Sequence, residues 1–234
     1  MRLIVAVLGL ALLAGCVVPT EIVQTQQPAQ SNAPALPASQ AARNFVSAVN
    51  AVEPVAERYC NTLTRGVNCD FQIVVDDRPN QAPNAFQTLD SNGRPIIAFN
   101  LALIANAQNI DELAFVMGHE AAHHILGHIP QQQQSANQGA ILAGLLVAVG
   151  GGGDAAIQQA QQVGASVGAR RFSKGFELEA DALGTEITVR SGFDALRGAA
   201  FFDRMPDPGN QFLGTHPPNA DRRATVQRVL NGLR

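Results

Sequence analysis

The sequence contains no apolar run long enough to cross a bilayer as a helix. Its two most apolar stretches, Leu3 to Ala14 and 140–153 (AILAGLLVAVGGGG), both fall short of the roughly 20 residues that a spanning helix needs. Basic excess is also missing. With 16 Lys and Arg against 19 Asp and Glu, the formal net charge is −3, which offers no electrostatic footprint for nucleic acid. Cysteine is scarce: there are three, none in a C-x-x-C pair, so a thiolate metal site lacks its usual spacing. The remaining length suits one domain with a proper core and is too short for two.

What is present begins with a short charged end, Met1-Arg2, ahead of the Leu3 to Ala14 run, the pattern of a secretory signal over 1–15. Leu13-Ala14-Gly15-Cys16 resembles a bacterial lipobox, in which Cys16 becomes the lipid-bearing first residue of the mature chain. Val17 rather than Asp comes next, which by resemblance to sorted lipoproteins favours the outer membrane. Loss of Arg2 leaves 15 basic residues against 19 acidic ones, a charge near −4. Residues 16–40, rich in Pro, Gln, Ala and Ser, bury too little to offset the cost of ordering and are expected to form a tether with a reach of roughly 25–30 Å. The folded domain is expected over 41–234. Cys60 and Cys69, in an oxidising compartment, are expected to close a small disulfide loop worth about 2–3 kcal/mol.

The chemistry is concentrated in Met117-Gly118-His119-Glu120-Ala121-Ala122-His123. Two His four apart on a helix project from one face, so both imidazoles reach a single metal ion, and the Glu between them can take a proton from the attacking water. A lone His would more often be a hydrogen-bonded core residue, but two at ligand spacing with this Glu favour a metal. Asn109 with Glu112 forms a capping box at the helix start, Leu113 to Met117 and Ile125 make the helix apolar nearly all round, and Gly127 with Pro130 ends it. The longer metzincin pattern fails, because it requires Gly and His where Leu126 and Ile129 stand. His124 and His128 are therefore read as structural or as supports of the ligands. The third ligand must come from elsewhere.

Elsewhere, the spacing of Phe45, Val49, Val52, Ala56 and Tyr59 predicts an amphipathic helix that Pro54 kinks or restarts. Phe71 to Val75 reads as a strand, and 84–89 with 94–99 as a hairpin around Asp90-Ser91-Asn92-Gly93. Pro95 suggests an edge strand beside the metal helix, which either receives an extended peptide or is capped by the domain itself. The 140–153 run is expected to form a hairpin arm buried against the domain, the alternatives being a tip dipping into a membrane or a gate over the cleft. Farther on, Glu177 and Asp181 share one helix face while Glu179 points roughly opposite. That face offers one carboxylate to a metal and another to a ligand His.

His119-Glu120-x-x-His123, then Glu177-x-Glu179-Ala180-Asp181-x-x-Gly184, then His216-Pro217-Pro218 with Arg222 six after the His, resemble the HtpX and CaaX prenyl endopeptidase family of zinc metallopeptidases. Asn84-Ala85-Phe86 and Asp111-Glu112-Leu113-Ala114 agree in order and spacing. The resemblance covers about Cys60 to Leu233 and implies an α+β, mainly helical, zincin-like domain with a small sheet whose edge strand borders the cleft. It implies one zinc ion held by His119, His123 and Glu177, Glu120 as base, Asp181 as the support of a ligand, His216 near the open coordination position and Arg222 beside substrate. The spanning helices of some branches are missing here, so the nearest branch is the periplasmic, lipid-anchored one. The expectation is a zinc endopeptidase acting on unfolded envelope polypeptides, with outer-membrane proteins as possible partners. The alternative is a chaperone or scaffold that holds such chains with little proteolysis.

Overall fold

The structure, a computed structural model, describes residues 36–171, 173–205 and 217–233. The expected signal over 1–15, Cys16 and His216 lie outside the described residues. The first element, α1 (Ala38–Leu63), begins three residues before the expected domain boundary and runs through Pro54 unbroken. Pro54 is exposed, so the carbonyl it leaves unpaired can be hydrated. The apolar stripe of Phe45, Val52 and Ala56 is buried, and the Phe45 ring meets Phe99 at 5.3 Å between centroids. Cys60 at its end is joined to Cys69, with Cα atoms 5.6 Å apart.

Strands β1 (Gln72–Asp76), β2 (Ala85–Leu89) and β3 (Pro95–Asn100) form one sheet in the order β1-β3-β2. β2 and β3 make the predicted antiparallel hairpin, whereas β1 runs parallel to β3 on its other side. This corrects the placement of Pro95: β3 is central, not an edge. Proline is tolerated because it is the strand's first residue, because the register with β1 begins only at Gln72 opposite Ile96, and because its partner is Leu89. Asn84 accepts from the Asn100 N–H and Asp90 donates to the Arg94 carbonyl. Alternation then leaves Ala85, Gln87 and Leu89 with backbone groups turned away from β3. The edge that borders the cleft is therefore β2.

Asn100, 2% exposed, ties the sheet to the helix after it. Its side chain caps α2 (Leu101–Asn106) by accepting from the Leu103 N–H at 2.8 Å, accepts from the Asn84 N–H, and donates to the Ala82 carbonyl. The central helix α3 (Ile110–Ile125) is buried along almost its whole length. Asn109 Oδ1 accepts from the Glu112 N–H at 3.1 Å, and the Glu112 carboxylate reaches back to the Gln108 N–H at 2.8 Å. That buried carboxylate also takes two bonds from Arg204, and Asp111 accepts from the Asp194 N–H. Gly127, left-handed at φ 68°, closes α3, and Pro130 falls in the first turn of the next helix rather than after it.

That next helix, α4 (His128–Val149), pairs with α5 (Asp154–Arg171) as an arm. Its expected burial against the domain is overturned. Only His128 and Gly144 of α4 are buried, while Leu146 is 75% and Val149 81% exposed. Small residues take the inner face: a Cβ on Gly164 would lie 2.2 Å from the Gly139 carbonyl oxygen, so the two backbones touch and the large aliphatics are left outside. The chain then returns through α6 (Ser173–Arg190), α7 (Ala195–Ala199), a 3-10 turn (Ala200–Arg204) and α8 (Asn219–Gly232). Among the described residues no helix is long and apolar enough to cross a membrane.

Candidate metal centre

The centre forms where α3 and α6 come into backbone contact at Gly118 and Gly184. A Cβ on Gly118 would lie 2.9 Å from the Gly184 carbonyl oxygen, and one on Gly184 would lie 2.8 Å from the His119 backbone nitrogen. Contact at that range brings Glu177 and Asp181, one turn apart on α6, against His119.

His119 Nε2 and His123 Nε2 are 3.0 Å apart, and the Glu177 carboxylate oxygens lie 3.6 Å and 3.5 Å from them. A tetrahedral site with bonds of about 2.0–2.1 Å sets its donors about 3.3–3.4 Å apart, so the three side chains fit one small cation. The expected trio is thus brought together in space.

Each imidazole is gripped from behind. His119 Nδ1 lies 2.9 Å from Asp181 Oδ1, and Asp181, fully buried, takes bonds of 2.7 Å and 2.6 Å from Arg222 Nε and Nη2. The Arg222 guanidinium lies 3.6 Å above the Phe202 ring. Arg222 also reaches Glu177 at 3.6 Å, so it braces the carboxylates as well as lining the cleft. On the other side, His123 Nδ1 meets His128 Nδ1 at 2.9 Å, and His128 Nε2 lies 3.2 Å from Glu179. His124 points away to the Asn68 carbonyl at 2.8 Å and packs edge-on against Phe71, a structural role beside the disulfide loop.

Burial alone would lower the His119 imidazole, but hydrogen bonds to Asp181 and Glu177 outweigh it and carry its pKa to about 9. His123 falls to about 3, through burial first and then through the charge on His119. Asp181 is held below the usual carboxylate range, since the bonds from Arg222 and His119 overcome the upward push of burial. Burial raises the Glu120 carboxyl, whose main-chain partner is the Gln87 N–H of β2. A carboxylate moved toward neutrality suits proton transfer near pH 7.

These groups open onto a cleft of about 360 Å³ between β2 and the 3-10 turn, with Phe86, Gln87, Phe115, Phe202 and Met205 on its walls. Sequence reasoning missed the parts played by Asn100, Gln87 and Phe202. Asparagine before a helix is a capping signal that could have flagged Asn100, but nothing local marks a backbone N–H or a ring beneath an arginine.

The profile of peptidase family M48 matches residues 50–230. The chain belongs to this family. The HtpX and CaaX resemblance points to the same M48 family, whose members are zinc-dependent metallopeptidases. Among its M48 relatives, the beta-barrel assembly-enhancing protease of Escherichia coli (strain K12) is 27% identical over 202 residues, 78% of this chain and 40% of that protein. That of Yersinia pestis is 26% identical over the same shares. A putative beta-barrel assembly-enhancing protease of Vibrio cholerae serotype O1 is 32% identical over 140 residues, 54% of this chain and 29% of that protein. The chain thus spans about two fifths or less of the length of these curated relatives.

Proposed function

We propose that this M48 chain is a zinc metalloendopeptidase of the bacterial cell envelope that cleaves misfolded or unassembled envelope polypeptides, outer-membrane proteins among them. The observation that carries this reading is the convergence of His119, His123 and Glu177 at tetrahedral spacing, with Glu120 alongside and β2 lining the cleft. Names of the relatives support the substrate class, and the lipobox-like Cys16 supports anchoring on the periplasmic side of the outer membrane.

His119, His123 and Glu177 would hold the zinc ion, which when bound supplies Lewis acidity to the scissile carbonyl and lowers the pKa of the hydrolytic water. Glu120 takes the proton from that water and gives it to the leaving amine. Asp181, fixed by Arg222, holds the His119 ring in the tautomer that leaves Nε2 free for the metal. The outward backbone groups of Ala85 and the Gln87 carbonyl, whose N–H partner is Glu120, can pair with an extended substrate, which selects main chain over side chain. His216 is assigned near the open coordination position from its motif.

The purified protein should hydrolyse casein, lose that activity to a chelator and regain it with one zinc per chain. A folded protein that takes up no zinc would overturn the reading. Metal uptake should also displace a proton. In the metal-free chain His119 is charged at pH 7, and its pKa of about 9 lies above the unfolded value of 6.5. Its stabilising contribution is therefore full below pH 6.5 and is lost as pH rises through 9. Zinc binding near pH 7 should release about one proton from this site, and apparent affinity should rise about tenfold per pH unit between 7 and 8.5. Calorimetry in buffers of different ionisation enthalpy measures both.

A further inference from the structure

The two imidazoles of the centre are supported differently, and the groups behind His123, His128 and Glu179, have so far no role in hydrolysis. His128 stands at the base of the arm as the first residue of α4, 3% exposed, with its ring stacked on Phe176 at 4.4 Å between centroids and 13° between planes. Its Nδ1 faces His123 Nδ1 at 2.9 Å, and its Nε2 faces Glu179 on α6 at 3.2 Å. We propose that His128, oriented by Glu179, is the positioning residue for His123, in parallel with Asp181 and Arg222 behind His119. The inference rests on the metal-binding reading above.

Proton bookkeeping allows one arrangement of this chain. A ring that coordinates through Nε2 keeps its proton on Nδ1, so His123 must donate from Nδ1. His128 then accepts at a bare Nδ1, which places its own proton on Nε2, where the Glu179 carboxylate accepts it. Every nitrogen has one partner of the right kind. Moving the proton of His128 to Nδ1 would set two N–H groups against each other at 2.9 Å and leave Glu179 facing a bare nitrogen. Stacking on Phe176 fixes the plane of the ring, and with it the direction in which the acceptor points.

The supports are unequal. Asp181 is a fully buried carboxylate with a bidentate arginine, whereas the Glu179 side chain is 62% exposed and acts through a neutral ring. His123 is thus the more loosely supported of the two rings. Removal of the Glu179 carboxylate should have a small effect and removal of the His128 nitrogen a larger one. Its helix face alone gives Glu179 no connection to the centre; the ring of His128 supplies one.

The test uses the full chain and reads zinc affinity by chelator competition, together with the visible spectrum of the Co²⁺-loaded protein. His128→Phe keeps an aromatic ring against Phe176 and deletes both nitrogens; it should bind zinc about 10–100-fold more weakly and alter the Co²⁺ spectrum. His128→Asn, whose amide oxygen can sit near the former Nδ1, should recover most of the affinity. Glu179→Ala should weaken zinc a few-fold with no change in the melting temperature of the metal-free chain. Wild-type affinity in His128→Phe would overturn the proposal, as would Asn failing to rescue. If His128→Phe does not fold, Glu179→Ala decides, and an unchanged zinc affinity there overturns it. A wild-type chain without zinc affinity would overturn the metal reading and this proposal together, which separates the two failures.

Discussion

Glu120→Gln is expected to leave a folded, zinc-loaded protein whose casein hydrolysis falls by about 10²–10⁴-fold, the range for loss of a general acid–base group. The substitution is nearly isosteric, and the amide oxygen can still accept from the Gln87 N–H. Glu120 is outside the His119, His123 and Glu177 set, so the metal content should not change. What the amide cannot do is take up a proton. In the wild type the base must be ionised, and its pKa is raised by burial, so activity should fall as pH drops through that raised value rather than at the ordinary carboxylate range. Zinc analysis alongside a casein assay decides the matter, and full activity in this variant would remove the mechanism. The same protein separates hydrolysis from a holding role: suppression of aggregation that survives Glu120→Gln belongs to binding alone.

The parts of this site that were legible in the sequence are those set by helical periodicity. His119 and His123 are one turn apart, as are Glu177 and Asp181, and a 3.6-residue repeat alone places each pair on one face. That His119 and Asp181 meet across 62 residues is a tertiary fact, which only the order of motifs suggested. The hairpin was legible because its turn is local. The centrality of β3 was not, since it depends on β1 returning in parallel from the far side of the turn region, and an N-terminal proline is equally compatible with an edge or a centre. Hydropathy misplaced the arm for a related reason. Counting the aliphatics of 140–153 gives burial, whereas the inner face belongs to Gly139, against which the α5 backbone closes, and to Gly144, against which the Gln161 side chain lies. His128 was ambiguous because the reversal at Gly127, not any repeat, turns its ring back onto His123.

Backbone contact between α3 and α6 makes a second large effect expected at Gly184→Val. The atoms that a Cβ would meet there are the nitrogen and Cα of His119, at 2.8 Å and 2.9 Å, and main chain cannot rotate aside as a long side chain could. The helices must separate instead. Overpacking of this kind costs about 1–3 kcal/mol of stability, and a shift near 1 Å at a reacting centre can cost about 100-fold in rate. Here the shift falls between His119 on one helix and Glu177 with Asp181 on the other, so it opens the metal triangle and stretches the His119–Asp181 bond at once. Gly184→Val should therefore lower zinc affinity and reduce hydrolysis by at least about 100-fold. Gly175→Ala on the same helix is the matched control: its Cβ would meet nothing within 4 Å, and replacing glycine in an exposed helix should raise stability by up to about 1 kcal/mol. Equal zinc affinity and activity in the two variants would show that the closeness of α3 to α6 does not set the geometry of the centre.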